Sequence, residues 1–236
     1  VTSSLDDYFA ANRSDPPRHL GTRYNAAGEF LPDPGNTIVC HVVPGSRTEV
    51  ALLEARQRIM DKANGTLAFT APQSLHMTLF QGILDRRRSV PLWPQGIALD
   101  TPVEATTELF RKRLEDFVPG PSFAVKATAV FPSGIVVDGV TAADRHALAD
   151  WRNRLAEAFG YRHPDHDVYE FHITYAYPIR WFEPVELNGW RALLDELLVS
   201  IRLASPVLEL CAPALCSFDD MNWFEELMVL DGKASA

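Results

Sequence analysis

Two short segments of this 236-residue chain carry the same side chains at the same spacing, His76-Met77-Thr78-Leu79 and His172-Ile173-Thr174-Tyr175. In extended backbone, side chains alternate between faces and residues i and i+2 point the same way, about 6.6 Å apart. His76 and Thr78 therefore share one face, and Leu75, Met77 and Leu79 share the other. His172 and Thr174 oppose Phe171, Ile173 and Tyr175 in the same way. The apolar face belongs against helices, which leaves one imidazole and one hydroxyl per segment for chemistry. Two imidazoles facing one groove suit phosphodiester cleavage, cyclic phosphodiesters included. One takes a proton from the nucleophile and the other gives one to the leaving oxygen, each role being worth roughly 10²- to 10⁴-fold in rate. An ordinary imidazole pKa of about 6.5 places both roles near neutral pH. The threonine hydroxyls would donate to the non-bridging oxygens as charge builds there. Such chemistry needs no metal and no cofactor.

The elements that must hold these segments form a repeat. Compared with itself at a shift of 96 residues, and without a gap, the chain sets Val39 on Ile135, Ala51 on Ala147, Leu52 on Leu148, Arg56 on Arg152 and Ile59 on Leu155. The same shift sets Leu75-His76-Met77-Thr78 on Phe171-His172-Ile173-Thr174. The first unit reads as a β-branched strand, Thr37 to Val43, then a helix opened by Ser46 with Glu49 and stopped near Asn64-Gly65, then a strand from Leu75 to Gly82. A helix opened by Thr101-Pro102 and ending before Pro119 follows, with a strand Phe123 to Phe131 leading into the second unit. A helix over Trp190 to Leu203 and two strands, Val207 to Leu215 and Trp223 to Leu230, close the chain. With no βαβαβ rhythm and no glycine-rich phosphate loop, the fold expected is α+β. It comprises an irregular N-terminal arm over residues 1–35, with a hairpin near Gly28, and one bilobal domain over residues 36–236. That domain contains two related strand–helix–strand units at about 37–82 and 134–178.

The paired motifs, HMTL and HITY, resemble the signature of the two-histidine (2H) phosphoesterase superfamily, the cyclic phosphodiesterases among them. The resemblance extends from about Asn36 to Leu230 and includes a strand ending Leu215-Cys216-Ser217 before a final strand. It implies two pseudo-symmetric lobes of antiparallel sheet backed by helices, with a central cleft. It also assigns catalysis to His76, Thr78, His172 and Thr174. Members of the family cleave 2′,3′-cyclic phosphates, ADP-ribose cyclic phosphate, 2′-5′ linkages or RNA ends. The arm, with Arg23-Tyr24 and Pro34-Gly35-Asn36-Thr37, resembles an uncharacterised bacterial and fungal branch. Tyr175 departs from the usual small or aliphatic residue, on the apolar face.

Further candidates surround the motifs. Arg23, Tyr24 and Asn36 could contact a phosphate or base from the arm; His41 shares the groove face of its strand with Thr37 and Val39; Phe80 has the parity of His76 and could stack on a base. Arg86-Arg87-Arg88 reads as a solvated turn, and Trp181, Trp190 and Trp223 as core or rim packing. His163-Pro164-Asp165-His166-Asp167 has the residue types of a metal site and supplies a rival reading as a metallohydrolase, although its proline forbids helical i, i+4 presentation. A third reading is a binding module that holds a phosphorylated metabolite without turnover. Composition sets outer bounds. Hydrophobic residues at 47% and charged residues at 22% are those of a globular protein with a packed core. The net charge of −9 disfavours long duplex nucleic acid and leaves a small phosphorylated substrate, such as a nucleotide cyclic phosphate or an RNA end. The three cysteines form no C-x-x-C pair, which with the acidic N-terminus suggests a cytoplasmic protein. No apolar run is long enough to cross a membrane, and a monomer is expected.

Overall fold

Alternating apolar residues make half-buried strands here, and amphipathic helices cover them on one side. The computed structural model describes residues 5–9 and 14–231, so the acidic N-terminal stretch and the extreme C-terminus lie partly outside the described residues. Strands β1 (Gly35–His41), β3 (His76–Leu84), β4 (Val125–Phe131), β5 (Gly134–Gly139), β6 (Phe171–Thr174), β8 (Ala214–Phe218) and β9 (Glu225–Val229) form one antiparallel sheet in the order β4-β5-β6-β3-β1-β8-β9. Two short strands, β2 (Leu67–Phe69) and β7 (Ala176–Pro178), pair separately. Helices α1 (Arg47–Ala63), α2 (Val103–Arg113), α3 (Ala142–Phe159) and α4 (Leu187–Ala204) complete an α+β fold. Leu52 and Ile59 of α1, Phe110 of α2, Leu148 and Leu155 of α3, and Trp190 and Leu197 of α4 share one core with Ile38, Met77, Leu79, Ile135 and Ile173 of the sheet. Each such aliphatic or aromatic side chain, once buried, contributes roughly 1.5–3 kcal/mol. None of the helices is long and apolar enough to cross a membrane, among the described residues.

The two halves meet at β3 and β6, where Met77 faces Ile173. These residues coincide under the 96-residue shift, so a local two-fold passes between them. The ungapped shift does not hold throughout. Cys40 faces Met77 as Ile135 faces Ile173, and the N-caps are Ser46 and Thr141, both equivalences lying at a shift of 95. The helix ends return to 96, at Asn64 and Gly160, because α3 has 18 residues and α1 has 17. Val39 is thus not the partner of Ile135; Cys40 is.

Several elements differ from expectation for identifiable reasons. The strand expected from Val207 is regular only from Ala214, since Pro206 and Pro213 remove ladder donors on either side of a single bridge, Val42 to Leu210. Helix α2 has no side-chain cap; Pro102 occupies the N-cap position and Thr101 gives its hydroxyl no capping role. Helix α4 starts at Leu187, following a short 3₁₀ turn at Pro184–Glu186. The arm is irregular, with a tight turn at Gly28 (φ 81°) where Gly28 N–H donates to the Asn25 carbonyl, and with Phe9 and Tyr24 buried.

Candidate active site

On the sheet face away from the helices, one cleft runs along β3. His76, Thr78, His172 and Thr174 all line it, with Arg23, Thr37, Gln81, Arg87, Tyr169, Tyr177, Phe218, Met221 and Phe224. Strand pairing explains the convergence: with Met77 opposite Ile173, the residues flanking each of them project to the same side of adjacent strands.

Both histidine rings are anchored alike. Nδ1 of His76 lies 2.6 Å from the Ser74 carbonyl, and Nδ1 of His172 lies 3.0 Å from the Glu170 carbonyl. A carbonyl only accepts, so Nδ1 carries the hydrogen in each ring and Nε2 keeps the lone pair of the neutral imidazole. The segments supplying those carbonyls are held by equivalent arginines. Arg56 donates to the Thr70 carbonyl (2.8 Å), and Arg152 to the His166 carbonyl (3.3 Å), positions again 96 apart. Arg152 is buried and forms no ion pair with a carboxylate among the described residues; it also donates to the Leu79 carbonyl (2.8 Å) and stands 4.1 Å from the centre of the Tyr169 ring. Burial pushes the Tyr169 phenol up to about 12, and its hydroxyl lies against Gln81 and Thr78. It thus reaches the cleft as a neutral donor.

The two histidines differ in surroundings. His76 is half-buried under Phe224, whose ring centroid is 4.2 Å away, with His41 edge-on at 6.1 Å. Desolvation, helped by His41 and His172 and opposed by the Ser74 carbonyl, pushes its pKa down to about 3. His172 is exposed.

The remaining sequence candidates divide. Arg23 lines the cleft, its guanidinium held 3.0 Å from the buried carboxylate of Asp33. Tyr24 does not line it: the ring is fully buried against Tyr177 and the hydroxyl donates to the Pro178 carbonyl at 2.6 Å. Asn36 borders the cleft, but its amide is occupied, with Nδ2 donating to Thr107 (2.8 Å) and Oδ1 accepting from Ile83 N–H (3.1 Å). His41 stands behind His76 rather than in the cleft wall, with Nε2 3.7 Å from Cys216 Sγ. Phe80 is wholly buried among Phe159, Tyr161 and His163. A bulge explains it. Ile38 faces Phe80 while Val39 faces Thr78, so Leu79 is an extra residue on β3 and reverses the parity beyond it. Gln81 takes the cleft position that alternation assigned to Phe80.

The rival metal centre finds no support in its donors. His163 gives Nε2–H to the Gln81 carbonyl (2.8 Å), His166 gives Nε2–H to Asn153 Oδ1 (3.1 Å), and both are buried beside the Arg152 guanidinium. Among the described residues, no three His, Cys, Asp or Glu side chains converge to hold a metal. Sequence reasoning missed Gln81, Tyr169, Tyr177, Phe218, Met221 and Phe224, which come from a bulge, a loop, strand β7 and the last hairpin. The parity break at Leu79 has no sequence mark. The recurrence of Arg56 at Arg152 did show in the sequence, as part of the repeat, but its anchoring role shows only in the structure.

The geometry agrees with the comparisons. A family model described as 2H-phosphodiest, domain of unknown function (DUF1868), matches residues 23–136, spanning the first H-x-T motif and ending before the second. The crystal structure of a conserved protein of unknown function from Agrobacterium tumefaciens strain C58 is similar through both halves. It has a TM-score of 0.95 and 52% identity, over 98% of this chain and 100% of that one. No curated protein matches. With two H-x-T strands paired about a local two-fold and a family model over the first, the chain belongs to the 2H phosphoesterase superfamily.

Proposed function

We propose that the protein is a metal-independent phosphodiesterase that hydrolyses a small or terminal cyclic phosphodiester, of the nucleotide or RNA-end kind, in the β3–β6 cleft. One observation carries this reading: both rings have Nδ1 tied to the carbonyl two residues earlier, so both keep Nε2 for the same cleft. His76, kept neutral by burial, is the base. His172, open to solvent, is the acid. Water attacks phosphorus as His76 takes its proton. The P–O bond to one ribose oxygen breaks as His172 protonates that oxygen, leaving a phosphomonoester and a free hydroxyl. Thr78 and Thr174 donate to the non-bridging oxygens, with the Tyr169 phenol close to Thr78.

The test is turnover of a panel of nucleoside 2′,3′-cyclic phosphates in the presence of chelator, by wild type, His76→Ala and His172→Ala. Expected is turnover that chelator leaves intact and that each substitution lowers roughly 10²- to 10⁴-fold. Activity lost in chelator, or untouched by both substitutions, would overturn the mechanism. Binding without turnover would favour the carrier or sensor module instead.

A further inference from the structure

The arginine triplet does not behave as one solvated turn. Arg86 donates to the buried carboxylate of Asp33 (2.7 Å). Arg88 pairs with Asp85, donates to the Leu99 (2.8 Å) and Thr101 (2.6 Å) carbonyls, and lies 4.6 Å from the Trp93 ring centre. Arg87 has no acceptor for its side chain among the described residues, and its Nε is buried and unpartnered. The charges acting on it include Arg23, Arg86 and Arg18, all of its own sign. A half-buried guanidinium left without a counter-ion is costly, and this one lines the cleft.

Its position along the cleft matters as much as its charge. From Thr78 the cleft passes Gln81 and Gly82 to reach Leu84 and Arg87. Thr78 faces Val39 and Gln81 faces Thr37, two residues apart on β1, so at about 3.3 Å per residue Gln81 lies roughly 7 Å beyond Thr78. Tyr177, Phe218, Met221 and Phe224 add an aromatic and apolar wall, with Phe224 against His76. The cleft thus offers hydroxyls and imidazoles, an apolar wall and a cation.

We propose that Arg87, with Arg23 beside it, forms a second anion subsite, and that the preferred ligand is a nucleotide bearing a phosphomonoester in addition to the phosphate at the histidines. This rests on the reading that the histidine end takes the reacting phosphodiester. The apolar wall receives the nucleoside, and the guanidinium of Arg87 supplies charge-assisted donors to the distal phosphate.

Calorimetric titration with adenosine 3′-monophosphate and with adenosine 3′,5′-bisphosphate tests it on wild type, Arg87→Gln and Arg87→Lys. Cyclic-phosphate turnover is measured on the same samples. Expected is a preference of about tenfold or more for the bisphosphate in wild type, falling to about twofold or less in Arg87→Gln and partly kept in Arg87→Lys. Equal affinities in wild type, or a preference that Arg87→Gln leaves unchanged, would overturn the subsite. If histidine-dependent turnover is present at the same time, the diesterase reading survives that failure. Should wild type neither turn over cyclic phosphates nor bind the monophosphate, both proposals fall together. The wild-type ratio decides the matter even if a variant does not fold.

Discussion

Two imidazoles of the same motif are made unequal by what covers them. His76 sits under Phe224 and beside His41, whereas His172 faces solvent. His76, the proposed base, with its pKa pushed down to about 3, stays unprotonated well below pH 6.5, so the acid limb of kcat/KM is expected below the ordinary imidazole value. His41 contributes to that depression. In His41→Gln the acid limb should move toward higher pH, with kcat at its plateau little changed. A pH–rate profile whose acid limb is unmoved by this substitution would count against His41 as a positioning group and His76 as the base. The histidine and threonine positions were legible from alternation alone. The inequality was not, because it arises from Phe224, 148 residues further along the chain.

Bulges and one strand pair decide which residues those elements present. The extra residue at Leu79 sends Phe80 into the core and Gln81 into the cleft. A second irregularity, between Gly35 and Thr37 on the facing strand, brings Asn36 onto Gly82. A Cβ on Gly82 would lie 2.1 Å from the backbone and side-chain oxygens of Asn36. Gly82→Ala should therefore cost on the order of 1–3 kcal/mol by overpacking and should lower activity by disturbing Gln81. Urea denaturation and turnover of the same variant check both, and an unchanged midpoint would show that the strands can part there freely. At the joint of the two halves Ile173 is fully buried opposite Met77. Ile173→Ala is expected to cost about 2–5 kcal/mol, read as a lower urea midpoint, and a loss below about 1 kcal/mol would mean the joint collapses around the smaller side chain.

Across the whole molecule, burial of imidazoles makes stability depend on pH. Desolvation first, with arginine charges adding to it, lowers His19 to about 3 and His166 to about 4. It lowers His163 to about 4 and His76 to about 3 as well, against backbone hydrogen bonds that oppose it, and it lowers His41 too. The sign follows from proton counting. Between about pH 4 and 6.5 the unfolded chain binds protons that the folded one refuses, so stability rises with pH through that window and is fully present above it. Urea midpoints should fall steadily from pH 7 to pH 5, above the range where carboxylates titrate; a flat profile there would contradict the buried, neutral histidines. The same long-range view qualifies net charge. The chain carries −9 overall, yet Arg23 and Arg87 line the cleft and Arg18 and Arg86 stand near it, so net charge does not describe the cations a small anion would meet there.

Local rules were enough wherever a property belongs to a few consecutive residues. Alternation placed His76 with Thr78 and His172 with Thr174, capping residues marked α1, and self-comparison related the two motifs. Tertiary structure alone decided the rest, because it depends on residues far apart in sequence. The Leu79 bulge, visible only against β1, removed Phe80 from the cleft. The carbonyls of Ser74 and Glu170 chose the tautomers. Of three adjacent arginines, only the one that Asp33, Asp85 and the nearby carbonyls left unmatched kept its charge for the cleft. A strand's period records which side a residue faces, whereas a partner across space decides whether its polar atoms are already occupied.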